Sequence, residues 1–298
     1  MTTDLLEPYF SIIIPVYRDS DRLLQCLDAI NQCRNEDVKF EVIVVNNDPE
    51  IEKLNLDLSL YSFDLKEVNE KKPGSYVARN KGISEANGEI LAFTDSDCIP
   101  STNWISEAYR QFKPDIDKKI GILTGPIPLF YKDPENLSDA EVYEKHTGFT
   151  TEAYAKFGHA VTANWFSHAS VIREFGGFNP ELKSNGDSEL SGRISQKYSI
   201  VYSPDLIVLH PSRYHTEELV SKYKRLLGGS YIRRFRGDQK AFLKHMMIFV
   251  SRRYKFLARR VFTIPVKESM AIFRVSNAIN RGVIQEYFNL TKGGETKR

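Results

Sequence analysis

The chain has 298 residues, 41% of them hydrophobic and 27% charged, with a net charge of +2 at pH 7. That balance suits a soluble globular protein with one large domain, or one domain and an appendage, and ample chain for a core. No run reaches the roughly 18 to 20 uninterrupted apolar residues of a membrane span, and MTTDLLEPYF lacks the basic-then-apolar order of a signal peptide, so a cytoplasmic setting is expected.

Cys26, Cys33 and Cys98 contain no CxxC pair and cannot be fully paired within one chain, which argues against a disulfide framework or zinc site and for core thiols. Charge is unevenly placed: residues 219–298 carry 19 Lys and Arg against 4 Asp and Glu, or +15, leaving −13 for the first 218 residues. Such asymmetry points the C-terminal part toward an anionic surface, unless it is simply a solvated helical face.

In chain order, FSIIIPV (10–16) is a short β-branched run, followed by Leu23, Leu24, Leu27 and Ile30 at helical spacing and by the strand-like EVIVV (41–45). This is one βαβ unit. Residues 75–86 read as a helix, EILAFT (89–94) as a buried strand and 104–112 as another helix, so the expected architecture is a mostly parallel sheet covered on both faces. Ligands in such sheets gather beyond the carboxyl ends of the strands. Asp95 and Asp97, in DSD, fall at that point.

Carboxylates two residues apart can offer oxygens to one hard cation from a turn, so a divalent ion is the natural guest. Taken alone, Asp-x-Asp is more often an ordinary turn or helix cap. Three longer segments add context. FSIIIPVYRDSDRLLQCLDAI, KKPGSYVARNKGISEANGEILAFTDSDCIPSTNWI and GGFNPELKSNGDSELSGRI occur together and in order, and the chain over roughly residues 9–213 resembles the inverting family 2 glycosyltransferases of GT-A fold.

The resemblance implies a nucleotide-sugar donor, with a UDP-sugar favoured, a Mn²⁺ or Mg²⁺ ion, and direct transfer to a glycan or lipid-linked acceptor. It places Pro15, Val16 and Tyr17 beside the nucleotide base, although a Pro-terminated strand would read the same way. Asn46 stands where the family usually has an acid contacting base or ribose, with Asp48 two residues later; either takes that contact, or VVNNDPE is a simple turn. Arg79 matches a diphosphate-binding position, where a planar permanent cation is useful, and Gly74 permits close backbone approach. Asp95 is implied to bind ribose or metal and Asp97 to bind metal directly, with Ser96 between them on the donor side.

On the acceptor side, Gly125 and Asn164 match pocket-lining positions; Trp165 and Phe166 could stack on an acceptor sugar, although burial in a core is the commoner fate of such aromatics. In SNGDSELSGRI, Gly186 replaces the commoner glutamate and Asp187 keeps the aspartate, making Asp187 the implied general base. At a helix start, the dipole would favour its ionised form. Glu189 either orients the acceptor or pairs with Arg193 four residues on. LIVLH delivers His210 at a strand end, where the resemblance has a histidine completing the metal site or touching the diphosphate.

The expected division is a catalytic domain over 1–214, with a nucleotide-binding half to about residue 100 and an acceptor half after it, and a basic helical extension over 215–298. That extension either lies on an anionic membrane, with the protein peripheral on the inner face, or packs on the catalytic domain or a second copy. Nothing in it resembles a groove-reading helix, so nucleic acid is not an expected partner. A nucleotidyltransferase would share the paired acids but need a Gly-rich basic loop after its first strand, which PVYRDSD lacks; a non-catalytic nucleotide or glycan binder is the other alternative.

Overall fold

The structure is a computed structural model that describes residues 7–33 and 38–296. Residues 1–6 of the N-terminal stretch and 297–298 of the basic segment lie outside the described residues. Two compact units make up the chain. The first takes the residues up to Pro128 together with Phe149–Pro180 and Gly186–His210, and the second takes Leu129–Gly148, Glu181–Asn185 and the chain from Pro211 onward.

The elements of the first unit start with β1 (Phe10–Val16), α1 (Ser20–Gln32), β2 (Phe40–Asn46), β3 (Asp64–Asn69), α2 (Ser75–Glu85), β4 (Ile90–Phe93) and β5 (Ile99–Pro100). After α3 (Trp104–Phe112) and β6 (Ile120–Thr124), the chain enters the second unit for β7 (Leu129–Phe130) and α4 (Asp139–Thr147). It returns for α5 (Thr151–Lys156), β8 (Trp165–His168), α6 (Ala169–Glu174), α7 (Gly186–Ile194), β9 (Ser199–Tyr202) and β10 (Val208–Pro211). The second unit ends in α8 (Thr216–Ser230), α9 (Gln239–Arg260) and α10 (Val266–Thr291).

Seven strands form one sheet in the order β3-β2-β1-β4-β8-β6-β9. β1 pairs in parallel with β2 and β4, and β2 with β3, as the alternating strand and helix pattern requires. β8 is the exception, running antiparallel to both β4 and β6, so the sheet is mixed. The central strands are apolar on both faces and buried throughout Ile12–Ile14, Val42–Val45 and Ile90–Phe93, which is why they read as continuous apolar runs. Leu23, Cys26, Leu27 and Ile30 line the buried stripe of α1. Trp104 and Phe166 pack at 4.6 Å between ring centroids, with Phe10 against Phe166 at 5.7 Å. All three cysteines are free and buried, as expected of core thiols.

In the second unit, a helical core forms around Leu219, Leu227, Phe242, Ile272, Ile279 and Val283. Glu144 of α4, itself buried, receives Arg213 at 2.8 Å and Lys222 at 3.0 Å. Arg274 of α10 grips Asp139 with two bonds of 2.6 Å. Among the described residues, no helix is long and apolar enough to cross a membrane.

Candidate active site

β4 runs out after Phe93, and the next residues turn sharply: Cys98 N–H donates to the Asp95 carbonyl at 3.1 Å, closing a turn over Asp95–Cys98. That turn brings both aspartates to the carboxyl edge of the sheet. The strand after it, β5, pairs antiparallel with β10 through Leu209↔Ile99 and Val208↔Pro100, and this register carries His210 opposite Cys98. One ligand atom from each of Asp95, Asp97, Cys98 and His210 lies within 4.8 Å of the others. His210 Nε2 is 3.9 Å from Asp97 Oδ1 and Arg22 Nη1 is 3.5 Å from Asp97 Oδ2.

Burial pushes the Asp97 carboxyl above its ordinary value, His210 and Arg22 oppose the rise, and Asp95 adds to it. A carboxylate held up in this way, among oxygen and imidazole donors, fits a divalent cation that would supply the missing positive charge. The donor set of two carboxylates and an imidazole suits Mn²⁺ or Mg²⁺. Cys98 is fully buried and its thiol is held well above its ordinary pKa by burial and by both aspartates, so it contributes packing rather than a thiolate.

Arg79 connects this cluster to the rest of the site. It projects from α2, is 3% exposed, and its Nη2 pairs with Asp95 Oδ1. Its Nε is buried without a hydrogen-bond partner, which leaves guanidinium capacity unused by the protein. Gly74 caps α2 at φ +141°, a conformation that side-chain-bearing residues rarely adopt, and Asn47 Oδ1 accepts the Gly74 N–H at 2.8 Å. Asn47 in turn donates to the carbonyls of Glu70 and Lys72, so one side chain absent from the sequence expectations holds the whole approach to α2.

Asp187 sits in the first turn of α7, where its Oδ1 accepts the Ser188 N–H at 2.8 Å. Its pKa is raised: burial outweighs the Ser188 bond and the charge of Arg79, and Asp95 reinforces it. The helix-start effect expected to favour ionisation therefore loses to desolvation. Beside it lies Tyr76 of α2, 5.6 Å from and stacked on Phe178, with the Arg79 guanidinium 5.7 Å from its ring centroid. The Tyr76 hydroxyl is raised in pKa by burial and by Asp187. A Cβ at position 186 would lie 2.7 Å from the Tyr76 ring, so the aromatic ring occupies the space a side chain there would need.

At the other end of the edge, Val16 pairs with Asn46 in parallel register, and Asn47 N–H donates to the Val16 carbonyl. Pro15 is half-buried and Val16 buried, while Tyr17 is 41% exposed, with the Arg18 guanidinium 5.2 Å from its ring centroid. Asn46 donates to the Ile51 carbonyl at 2.7 Å and accepts from Asp48 N–H at 3.0 Å. Asp48 accepts from Arg18 Nε at 2.7 Å and from Glu50 N–H at 3.0 Å. Both side chains thus shape the loop after β2. Ser96 lies against Asp19, with 3.4 Å between Oγ and Oδ2, and Asp19 also accepts from Arg22 Nε at 2.7 Å. Arg18, Asp19, Arg22 and Tyr76 were not marked by the sequence; only their nearness in space to Asp48, Asp97 and Asp187 singles them out.

The residues expected to line the acceptor pocket divide. Asn164 and Trp165 are fully buried, which for Trp165 is the commoner of the two placements open to such an aromatic. Asn164 accepts from Trp104 Nε1 at 3.0 Å and donates to the Leu206 carbonyl at 2.7 Å, while Trp165 Nε1 donates to Ser167 Oγ at 2.7 Å. Both are core side chains whose polar atoms already have protein partners. Glu189 is part-exposed and accepts two bonds from Arg193, the pairing expected at i and i+4.

The sequence profile of glycosyl transferase family 2 matches residues 11–173. Glycosyltransferase AglE of Haloferax volcanii is 30% identical over 230 residues, which cover 75% of this chain and 73% of that protein. Among solved structures, the mannosyltransferase PcManGT from Pyrobaculum calidifontis, in complex with GDP-Man and Mn²⁺, superimposes with a TM-score of 0.59 at 16% identity, covering 96% of this chain and 87% of its own. S. aureus TarS 1-349, in complex with UDP-GlcNAc, superimposes with a TM-score of 0.55 at 15% identity, covering 96% and 92%.

Proposed function

Because the chain belongs to glycosyl transferase family 2, with the α/β GT-A type of fold and a C-terminal helical extension, we propose that it moves a sugar, with inversion, from a nucleotide-sugar donor to an acceptor hydroxyl. Asp187 is the general base. The observation that carries this is the line of charge from Asp187 through Arg79 to Asp95 and on to the Asp97–His210 pair, all in one unit at one sheet edge.

The donor lies with its base by Pro15, Val16 and Tyr17, against the loop that Asn46 and Asp48 shape, and its diphosphate toward Arg79. Asp97, Asp95 and His210 would hold the divalent ion. When bound, that ion supplies positive charge against the diphosphate as it leaves. Arg79 adds a fixed guanidinium whose Nε has no protein partner, so it stabilises negative charge without first breaking a bond at that atom. The acceptor oxygen attacks the anomeric carbon from the face opposite the diphosphate, the carbon–oxygen bond to the diphosphate breaks, and the acceptor proton passes to a carboxylate oxygen of Asp187. Desolvation makes Asp187 a stronger base than a free aspartate, and Tyr76 and Phe178 form the apolar wall beside it. Glu189, fixed by Arg193, borders the acceptor.

A UDP-sugar is the first donor to test, on the strength of the sequence resemblance. The acceptor is a glycan or lipid-linked glycan, met at the inner face of an anionic membrane through the basic helices of the second unit. The test is Asp187→Asn, which preserves shape and removes the proton acceptor. Donor affinity should stay within about twofold while kcat for transfer falls roughly 10²-fold or more; transfer near the wild-type rate removes Asp187 from the mechanism.

A further inference from the structure

The second unit carries a surface that the transfer chemistry does not use. Helix α9 contains Lys240, Lys244, Arg252, Arg253, Lys255, Arg259 and Arg260, and no acidic residue. Arg253 is buried, with its guanidinium 4.2 Å from the Tyr223 ring centroid and bonded to Asn280, so it belongs to the helical core. The others face water.

At 100° per residue, the exposed side of α9 divides lengthwise. Leu243, Met247 and Tyr254 form one flank, Arg252 and Arg259 the other, and Lys244, Ile248 and Lys255 run between them. All three residues of the apolar flank are at least 40% exposed, and Met247 reaches 61%. The pattern continues into the turn to α10, where Phe262 is 96% exposed and Val266 74%, followed by Met270 at 55%. A nearly bare phenylalanine at a hairpin tip, next to other exposed apolar side chains, has no role in the packing of this unit.

Beside the tip, Arg252, Lys255, Arg259 and Arg260 surround Phe256 and line a shallow cavity of about 370 Å³. Among the described residues, none of the four cations pairs with a carboxylate. Glu268, the acid that opens α10, is already taken by Lys145 at 2.9 Å and by His146. The four positive charges therefore face outward together, uncompensated by the protein.

We propose that the α9–α10 hairpin tip is a docking surface for an anionic phospholipid bilayer: Phe262, Val261 and Val266 enter the acyl boundary, and Arg252, Lys255, Arg259 and Arg260 hold lipid phosphates around the rim. Charge complementarity selects this occupant, because a second copy of the same surface would bring like charges together, and nucleic acid gives Phe262 and Val266 no apolar phase to enter. The arrangement matches an interfacial element, apolar side chains at the tip and cations just above them, on a chain whose described helices do not span a membrane. This inference rests on the membrane-facing part of the reading above and locates it.

The full chain is to be sedimented with phosphatidylglycerol-containing and with pure phosphatidylcholine vesicles, at low and high salt, alongside donor binding by each variant. The wild type should bind only the anionic vesicles, and more weakly as salt rises. Arg252→Gln/Lys255→Gln/Arg259→Gln should weaken partitioning about fivefold per cation, on the order of a hundredfold in all. Phe262→Ser/Val266→Ser should lose binding that high salt leaves behind, whereas Arg252→Lys/Arg259→Lys should bind as wild type. Equal sedimentation of all variants, equal binding to neutral vesicles, binding to an oligonucleotide but not to vesicles, or a dimer indifferent to vesicles would each overturn the proposal. Unchanged donor binding in the tip variants shows that they are folded. Vesicle binding by a chain that binds no nucleotide-sugar would instead count against the transfer reading and leave the docking surface standing.

Discussion

Asp187 is partly exposed yet desolvated by its surroundings while it must carry a charge, and the two demands have separable consequences. Its raised pKa means that the ionised form costs stability as pH rises through the folded value, while below the ordinary value of 3.8 the folded and unfolded states both carry the proton and the cost vanishes. Asp187→Asn should therefore raise the melting temperature at neutral pH, with the gain shrinking to nothing in strong acid, even as kcat for transfer falls. In the wild type, the acid limb of kcat/KM should fall above 3.8, because the base form is lost at higher pH than for a free aspartate; a limb at or below that value would contradict the assignment. Tyr76 and Gly186 are coupled in the same place. Gly186→Ala places a Cβ against the Tyr76 ring and should destabilise the chain, and Tyr76→Ala in the same molecule should relieve part of the damage, with a coupling of about 0.5–3 kcal/mol in a double-mutant cycle of urea unfolding. Strictly additive losses would show that the ring yields freely. Asp95, Asp97 and His210 were legible in the sequence because they stand in motifs with fixed order. Tyr76 was not, because nothing in GSYVARN says that its ring will meet residue 186, 110 positions away.

The elements that carry the site were readable wherever one periodicity dominated. β1, β2 and β4 are near-continuous apolar runs, and α1 was legible in the spacing of Leu23, Leu27 and Ile30, although Leu24, read into the same stripe, is 43% exposed and Cys26 is buried in its place. β3, with the sequence DLKEVN, lies at the sheet edge, pairs only with β2 and is largely polar, so it escaped notice. β8 left two readings open, a sugar-stacking aromatic pair and the commoner buried pair, and the structure has the second. WFSH offers two large aromatics next to Asn164 and looks like a carbohydrate platform, but insertion between β4 and β6 buries both rings. The distinction can be measured: Trp165→Ala should destabilise the chain by about 3–5 kcal/mol, as for a large core truncation, and would slow transfer only through unfolding. A sugar-stacking Trp165 would instead raise the acceptor KM with the unfolding midpoint unchanged. The turn at Asp95–Cys98 and the register of β5 with β10 are the local devices that bring His210 to the aspartates, and neither is visible in DSD or LIVLH alone.

Over the whole molecule, charge and fold are divided differently from the linear boundary expected near residue 214, since 129–148 and 181–185 pack with the C-terminal helices. The uneven charge was plain in the sequence; these two segments were not, because α4 joins the helical unit through side chains distant in sequence. Glu144 is the clearest of them. Burial pushes its carboxyl up, but Lys222 and Arg213 more than offset this and leave the pKa lowered. A lowered carboxylate contributes stability above its unfolded value and loses it as pH falls through the folded one, so unfolding of the second unit should become easier in acid beginning near 4.5, and Glu144→Gln should flatten that dependence. An unchanged acid profile in that variant would place the acid sensitivity elsewhere. The central claim, that the sheet edge binds a nucleotide-sugar through a divalent ion, is tested most directly by calorimetric titration of UDP- and GDP-sugars into the wild type and Asp97→Ala, with Mn²⁺ and then with EDTA. Tight binding by the wild type that requires Mn²⁺ and is lost in Asp97→Ala is the predicted result; equal affinity with and without metal in both proteins would contradict it.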